Sequence, residues 1–245
     1  MTNITTIIYW KRYNMPPIKL IKKQHIWLPT PLGLIIAILI FLLSSIFILK
    51  NLAHYLAQQQ SINAPILIVE GWISDLALKE VIKHDKAADY KIIITTGGLI
   101  KTRNPTKYKT YADLAAAYLR NNGLNTSNIK SLPTPESAQN RTFLSAVIVR
   151  DWLQKQNIKT KQINIYSQGV HARRTKALYQ MAFGDQYNIG INAAKTIEYT
   201  LDNWWKSSTG AKAVITETIG LIWVKCCFYL GEYQSHQEKW GLYQH

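Results

Sequence analysis

A histidine and two arginines follow a short apolar run in the segment "IYSQGVHARR" (165–174). His171 can donate or accept a proton near neutral pH. Arg173 and Arg174 are permanent cations whose donors match the oxygens of phosphate and carboxylate groups. Because these side chains are crowded at one turn, the segment predicts a binding site for an anionic group. The alternative is that His171 only caps the helix that follows.

Three further segments of similar character stand at predicted strand ends or helix starts: "EGW" (70–72), "TTGG" (95–98) and "ESAQNRT" (136–142). Glu70 is the carboxylate best placed for general acid–base work opposite His171. The ligand-binding candidates are Gly71, Gly97, Gly98, Asn140, Arg141, Arg173 and Arg174. Two adjacent arginines on a helix cannot point the same way, so we expect one of the pair in the site. The paired glycines have an equally good explanation as a strand-ending turn.

Most known catalytic motifs are missing from the sequence. Ser167 and Gly169 suggest a nucleophile elbow, but Ile165 stands where its first glycine should be. Neither a phosphate-binding loop ending in Lys-Ser/Thr nor a G-x-G-x-x-G fingerprint occurs. The six histidines are scattered without metal-ligand spacing. We therefore predict no metal site and no bound cofactor.

Strands and helices alternate along the sequence that must position these residues. The predicted strands are 64–72, 90–98, 128–135, 161–167 and 187–193, and the predicted helices are 75–88, 111–122, 137–156, 172–183 and about 208–230. This alternation predicts an α/β domain with a mostly parallel sheet covered on both faces. The two prolines of strand 128–135 make it an edge strand or a loop. Ligands of such sheets bind outside the carboxyl ends of the strands.

An uncharged run of 18 residues, "LGLIIAILIFLLSSIFIL" (32–49), precedes this domain. As a helix it spans roughly 27 Å, enough to cross a bilayer. The five basic residues and no acid of segment 1–30 predict a cytoplasmic N-terminus and an extracytoplasmic domain. A cleaved signal peptide is the alternative, but the leader is long and no clear cleavage site follows. We predict a single-pass signal anchor.

These patterns divide the chain into five parts. They are a basic cytoplasmic leader (1–30), a transmembrane helix (31–50), a juxtamembrane linker (51–63), the α/β domain (64–232) and a polar C-terminal tail (233–245). The balance of 29 Lys and Arg against 14 Asp and Glu favours anionic partners: phosphates, anionic lipid or polyanionic glycans. Specific nucleic-acid binding is disfavoured because no groove-reading motif occurs.

The C-terminal part of the domain holds three further features. Trp204 and Trp205 could stack on a sugar or line the site, although a core or membrane-interface role is favoured. The last helix carries an apolar stripe of Ile215, Ile219, Ile222 and Cys226. We interpret Cys226 and Cys227 as small core residues, because neighbouring Cα atoms lie too close together for a relaxed disulfide.

The segments "EGW", "ITTGG", "YADLAAAYLRNNGL", "QNRT", "SQGVHARR" and "WWKSS…TETIGLIW" occur in the order found in the ElyC/SanA/YdcF family. The chain resembles this bacterial family, whose activity is largely undefined, over roughly residues 64–230. The resemblance implies a Rossmann-like three-layer domain, a site at the strand carboxyl ends and a cell-envelope role at the inner membrane. Family positions match Gly97, Gly98, Asn140, His171 and Arg174. One departure is Gln139 where the family has an acid, unless Glu136 substitutes for it.

The leading hypothesis is a membrane-anchored envelope protein that binds a phosphorylated or anionic ligand of the lipid-linked glycan type. Arg174 and Arg141 would clamp the anion, and backbone N–H groups after Gly97-Gly98 would complete the cradle. If the protein is an enzyme, His171 donates a proton to the leaving oxygen of a hydrolase or transferase reaction, with Glu70 as its counterpart. One alternative is a non-catalytic binding or regulatory module. Another is a nucleotide-cofactor enzyme, should the domain be cytoplasmic.

Overall fold

The structure is a computed structural model that describes residues 28–88, 90–101, 107–124, 126–136 and 140–240. Most of the predicted basic leader, the end of the predicted C-terminal tail and Gln139 lie outside these residues. The chain divides into two units, with the boundary after Ser44.

The second unit contains a parallel five-stranded sheet with helices on both faces, which confirms the predicted fold class. Within the described residues the strands are β1 (Ile66–Glu70), β2 (Ile92–Gly97), β3 (Ile129–Pro133), β4 (Gln162–Gln168) and β5 (Asn188–Ala194), in the order β3-β2-β1-β4-β5. The helices are α1 (Pro31–Leu56), α2 (Asp75–Ala88), α3 (Tyr111–Asn121), α4 (Arg141–Lys155), α5 (Ala172–Phe183), α6 (Ser208–Cys226) and α7 (His236–Trp240).

Side-chain alternation along the central strand builds two cores. Ile66 and Ile68 of β1 face a core shared with α4, α5, α6 and the last turns of α1. Leu67 and Val69 face the opposite core, which α2 and α3 cover. All four side chains are fully buried, as a parallel sheet with two covered faces requires. The strand that holds Glu70 is therefore fixed from both sides.

β3 is an edge strand, paired with β2 through the register Ile93↔Ile129 to Gly97↔Pro133. The prolines of this segment are compatible with the edge position, because Pro133 ends the strand and lacks only the N–H that a further ladder bond would use. The structure thus decides between the edge strand and the loop in favour of the strand.

Helix α1 is longer than the predicted transmembrane segment and continues to Leu56. It is long and apolar enough to cross a membrane, with a mean hydropathy of 3.1 in its most apolar window. Its last turns carry Ala53 and Leu56 into the core, and Gln60 pairs with Ile191 of β5 through two backbone hydrogen bonds. The predicted juxtamembrane linker at 51–63 thus contacts the domain through the end of α1 and through Gln60.

The apolar stripe predicted on the last helix lies on its exposed face. Ile215, Ile219 and Ile222 are each more than half exposed, whereas Val214 and Leu221 pack in the core. The helix is apolar on both faces, so periodicity alone could not identify the buried one. It also ends at Cys226 rather than near residue 230.

Cys226 and Cys227 form a disulfide and are exposed, which corrects their interpretation as core thiols. Their Cα atoms lie 3.8 Å apart because one peptide bond joins them. The pair occupies the last residue and the cap of α6. The backbone is leaving the helix there, so the bridge does not interrupt a helical hydrogen-bond pattern.

The predicted polar tail is partly folded. Residues His236–Trp240 form the short helix α7, and Glu238 is buried. The Glu238 carboxylate accepts hydrogen bonds from both terminal nitrogens of the buried Arg150, at 2.7 and 2.9 Å. The Arg150 guanidinium also lies 4.4 Å from the ring centre of Tyr233. This buried ion pair attaches the C-terminal segment to α4.

Candidate functional site

The strand order of the sheet reverses between β1 and β4, which makes this position a topological switch point. From β1 the chain adds β2 and β3 on one side, and it later returns to place β4 and β5 on the other. Outside the carboxyl ends of the two strands at such a switch point, the connections diverge and leave a crevice for a ligand. Glu70 ends β1 and Gln168 ends β4, so both strand ends lie at this crevice.

Six polar side chains meet at the switch point and form the carboxylate–histidine cluster: Glu70, Ser167, His171, Arg174, Thr175 and Glu217. The Glu70 side chain is only 4% exposed. Its carboxylate accepts hydrogen bonds from the Ser167 hydroxyl and, at 3.3 Å, from the Thr175 hydroxyl. These donors satisfy a buried anion that would otherwise be costly.

His171 lies at the centre of the carboxylate–histidine cluster, in the 3-10 turn Gly169–His171 before α5. Its Nδ1 is 3.0 Å from Glu217 Oε1, and its Nε2 is 3.6 Å from Glu70 Oε1. The second distance is too long for a hydrogen bond. Within the described part of the chain, the buried Nε2 has no hydrogen-bond partner. The imidazole is thus held at one nitrogen and free at the other.

Arg174 binds the same carboxylate that holds the histidine. Its Nε and Nη2 donate to the two Glu217 oxygens at 2.7 and 3.1 Å, a bidentate pair. Nη2 is also 3.0 Å from His171 Nδ1. An arginine can only donate, so when Nδ1 carries a proton both cations point their N–H groups at Glu217. Helix α6 supplies this carboxylate and allows the arginine to lie close beside it at Gly220.

The two charges in the middle of the carboxylate–histidine cluster stabilise each other. Burial alone would lower the pKa of His171, but the Glu70 and Glu217 carboxylates outweigh it and raise this pKa to about 9. Burial alone would raise the pKa of Glu217, but hydrogen bonds from His171 and Arg174 outweigh it and lower this pKa to about 2. At neutral pH the pair is therefore an imidazolium and a carboxylate.

Trp72 covers the imidazole from the β1–α2 turn. Its ring meets that of His171 edge-on, with the centroids 5.0 Å apart. The tryptophan itself is 43% exposed, so it stands between the histidine and solvent. The segment "EGW" thus supplies one member of the carboxylate–histidine cluster, Glu70, and a tryptophan that contacts another member, His171.

The adjacent arginines point in different directions, as expected. Arg174 joins the carboxylate–histidine cluster, whereas Arg173 donates from Nε to the backbone oxygen of Tyr55 and lies over the Tyr55 ring at 3.8 Å. The structure therefore does not bring Arg173, predicted as a ligand-binding residue, into the carboxylate–histidine cluster. The side chain attaches α5 to the end of α1 instead.

The residues predicted around the start of α4 are not brought into the carboxylate–histidine cluster. Asn140 adopts a left-handed conformation (φ 51°) and precedes the helix that Arg141 begins. Neither makes a hydrogen bond or ion pair with the cluster among the described residues. Glu136, proposed as a substitute for the family acid, is exposed and pairs with Lys101 at 2.5 Å. The Lys101 hydrogen bond lowers the pKa of Glu136.

The three predicted glycines have packing roles at the ends of β1 and β2. A Cβ on Gly71 would lie 2.4 Å from the Tyr111 carbonyl oxygen, and the Gly71 N–H already donates to Thr96 at 2.7 Å. Gly97 has φ +143°, which favours glycine, and a Cβ there would meet the Tyr111 side chain at 2.8 Å. A Cβ on Gly98 would lie 3.0 Å from the Thr134 hydroxyl. These contacts support the structural explanation of the glycines.

Glu217 is the functional candidate that the sequence did not identify. It contacts both cations of the carboxylate–histidine cluster. The available signal was that Glu217 is the one acid of α6. Ser167, considered above only for a nucleophile elbow, donates to Glu70, and so does Thr175, which no motif indicated.

The arrangement is suited to proton donation. Glu217 orients the imidazolium through Nδ1, and Nε2 makes no hydrogen bond within the described residues. A general acid needs such a fixed orientation and a pKa at or above the working pH. No group of three or more metal-ligating side chains occurs among the described residues. Comparison of the chain with family models, curated proteins and solved structures found no match.

Proposed function

We propose that the protein is a membrane-anchored, extracytoplasmic hydrolase or transferase of the bacterial envelope that acts on a phosphorylated ligand. The resemblance to the ElyC/SanA/YdcF family suggests the envelope location, and a lipid-linked glycan precursor would suit a domain tethered beside the bilayer. The observation that carries the proposal is the geometry of His171 at the switch point. Its Nδ1 is held by Glu217, and its buried Nε2 lies 3.6 Å from Glu70 without a hydrogen-bond partner in the described residues.

Each group in the carboxylate–histidine cluster has a role in hydrolysis of a phosphate ester. A water oxygen attacks phosphorus while the bond from phosphorus to the leaving oxygen breaks. His171 Nε2 gives its proton to the leaving oxygen, and Glu70 takes a proton from the attacking water. Transfer of that proton from Glu70 to His171, 3.6 Å away, restores both groups. Arg174 keeps further N–H groups for the phosphoryl oxygens beyond the two that Glu217 accepts.

A binding or regulatory module without turnover is the second candidate. It is favoured by the composition of the carboxylate–histidine cluster, in which the carboxyl groups of Glu70 and Glu217 face His171 and Arg174. Such mutually paired groups can stabilise the switch point without taking part in a reaction. Turnover distinguishes the two candidates, since both bind at the same place.

The test uses the full chain in detergent and two phosphate monoesters that differ in leaving group. An alkyl phosphate releases a strongly basic alkoxide that needs a proton, whereas p-nitrophenyl phosphate releases a weakly basic phenolate that needs none. For His171→Gln we expect hydrolysis of the alkyl ester to fall about 100-fold or more and that of the aryl ester to fall far less. Equal losses on both esters would contradict proton donation by His171. Ligand binding without turnover of either ester would favour the second candidate.

The adjacent arginines provide a matched control. Arg174→Ala should weaken binding of inorganic phosphate, measured by calorimetry, about tenfold or more, because it removes a guanidinium from the carboxylate–histidine cluster. Arg173→Ala removes the same charge one residue away, where the side chain contacts Tyr55, and should leave phosphate binding unchanged. An equal loss of phosphate affinity in both variants would mean that binding depends only on the net charge of the protein and not on the position of Arg174.

A further inference from the structure

Of the two adjacent tryptophans, Trp204 is buried and Trp205 is partly exposed. Both lie in the 3-10 turn Leu201–Lys206. Trp204 is 5% exposed and donates from Nε1 to the backbone oxygen of Leu49 at 3.1 Å. Trp205 meets it edge-on with centroids 5.8 Å apart and remains 40% exposed. The first tryptophan fixes the turn against α1, and the second presents its ring outward.

An apolar cleft of about 290 Å³ opens beside this pair, lined by Ile46, Leu49, Lys50, Trp204 and Trp205. The Lys50 ammonium is the only charge among these five side chains. A sugar would find few hydrogen-bond partners on such walls, and leaving its hydroxyl groups unpaired is costly. The sugar-stacking role considered for Trp204 and Trp205 is therefore disfavoured. The volume and the lining suit a segment of hydrocarbon chain.

The position of the cleft along the sequence points to the membrane surface. Ile46 and Leu49 belong to the last turns of the uncharged run 32–49, and Lys50 is the first charged residue after it. Tryptophan rings favour the headgroup level of a bilayer. A lysine at the end of a membrane-spanning helix extends its ammonium toward the same level. The cleft thus combines an apolar lining with a cation, and if α1 crosses the bilayer this cation lies at the headgroup level.

We propose that this cleft binds an acyl chain of an anionic phospholipid, with Lys50 paired to the lipid phosphate and Trp205 packed on the chain. The lipid is the occupant that the lining favours, because Ile46 and Leu49 of the apolar run form part of the cleft and Lys50 contributes a positive charge beside them. The inference rests on the membrane anchoring in the proposed function. It assigns no role to the carboxylate–histidine cluster.

The experiment measures lipid binding to the detergent-purified full chain by native mass spectrometry, with phosphatidylglycerol and phosphatidylcholine as probes. Lys50→Gln should weaken phosphatidylglycerol binding about fivefold and leave phosphatidylcholine binding unchanged, since one basic residue near a bilayer surface contributes on that scale. Trp205→Ala should weaken binding of both lipids. Lys50→Arg, which keeps the charge, should restore the preference for phosphatidylglycerol.

Two variants serve as matched controls. Lys206→Gln removes an exposed charge from the same turn, and Trp223→Ala removes an exposed tryptophan from α6; neither residue lines the cleft. Both should bind the lipids like the wild type. Equal losses in Lys206→Gln and Lys50→Gln would overturn the proposal in favour of nonspecific surface attraction, and unchanged binding in Trp205→Ala would also overturn it.

Flotation of the full chain with liposomes after a carbonate wash separates the cleft from the anchor. Wild-type protein that fails to float would overturn both the anchoring and the lipid site. Wild-type protein that floats, with normal lipid binding in Lys50→Gln and Trp205→Ala, would overturn the lipid site alone. Circular dichroism of each variant establishes that the chain is folded before its binding is compared.

Discussion

Glu217 Oε1 and His171 Nδ1 lie 3.0 Å apart, and the same carboxylate receives the bidentate pair from Arg174. One acid thus joins α6 to α5 at the carboxyl ends of the sheet. This relationship makes Glu217 a positioning residue for the imidazole, and its removal should affect the charge, the orientation and the stability of the site together.

Glu217→Gln should lower the pKa of His171, because it removes one of the two carboxylates that raise it. The imidazole signals of the full chain labelled at histidine can be titrated by NMR, with His171→Gln used to assign the resonance. We also expect the free energy of unfolding to fall by about 2 kcal/mol, less than for a fully buried pair because Arg174 is partly exposed. A His171 resonance with an unchanged titration midpoint would contradict the assigned contact.

Stability should depend on pH through the same pair. The pKa of His171 is raised from 6.5 to about 9, so its contribution is complete below pH 6.5 and is lost as the pH rises through about 9. The pKa of Glu217 is lowered from 4.5 to about 2, so its contribution is complete above pH 4.5 and is lost as the pH falls toward 2. Urea unfolding of the full chain should therefore show this contribution undiminished between about pH 4.5 and 6.5.

His171→Gln is the control for that pH profile. The variant lacks the titrating imidazole, so its stability should decline less between pH 6.5 and 9 than that of the wild type. Parallel decline of the two proteins would assign the alkaline loss to other groups.

Gly71→Ala should be far more harmful than Gly98→Ala. The added methyl group at Gly71 would press on two backbone oxygens, at 2.4 and 2.6 Å, which cannot move independently. At Gly98 its nearest neighbour is the Thr134 hydroxyl at 3.0 Å, which can rotate. We expect losses of about 3 and about 1 kcal/mol in the free energy of unfolding. Thermal unfolding measures both, and equal losses would contradict the packing explanation of "EGW".

Glu238→Gln should release the C-terminal segment from α4. Breaking the buried pair with Arg150 should cost about 3 kcal/mol, because the guanidinium remains buried without its main counter-charge. Limited proteolysis should then cut within residues 229–240 faster than in the wild type. Lys239→Gln removes a partly exposed charge from the same helix, 3.4 Å from Asp151, and should change the stability by less than about 1 kcal/mol.

The sequence predicted the part of the site that local spacing determines. His171 and Arg174 share one turn, and Glu70 ends a strand whose neighbours are apolar, so each was recognisable from its own segment. Glu217 was not, because it reaches the site only through the packing of α6 against α5. The paired arginines show the same limit: spacing indicated that they diverge, but only the position of Tyr55 shows which one leaves the site.

The fold was predictable for similar reasons, and the features that the sequence did not reveal have physical causes. Five apolar runs bounded by turns predicted five strands, and their alternation with helices predicted the parallel sheet. The apolar stripe on α6 did not indicate which face is buried, because both faces are apolar and burial depends on neighbours that the helix sequence does not contain. Likewise, nothing local to Gln60 indicates that it pairs with β5.

That pairing has a consequence for how the sheet edges meet other protein chains. Gln60 occupies the backbone groups of Ile191 on the outer strand β5, and the opposite edge strand β3 carries an exposed lysine, Lys130, and ends in Pro133. Covered backbone groups, edge charges and prolines are the devices by which sheets avoid pairing with one another. Neither edge therefore offers a long free template for pairing with the sheet of a second copy.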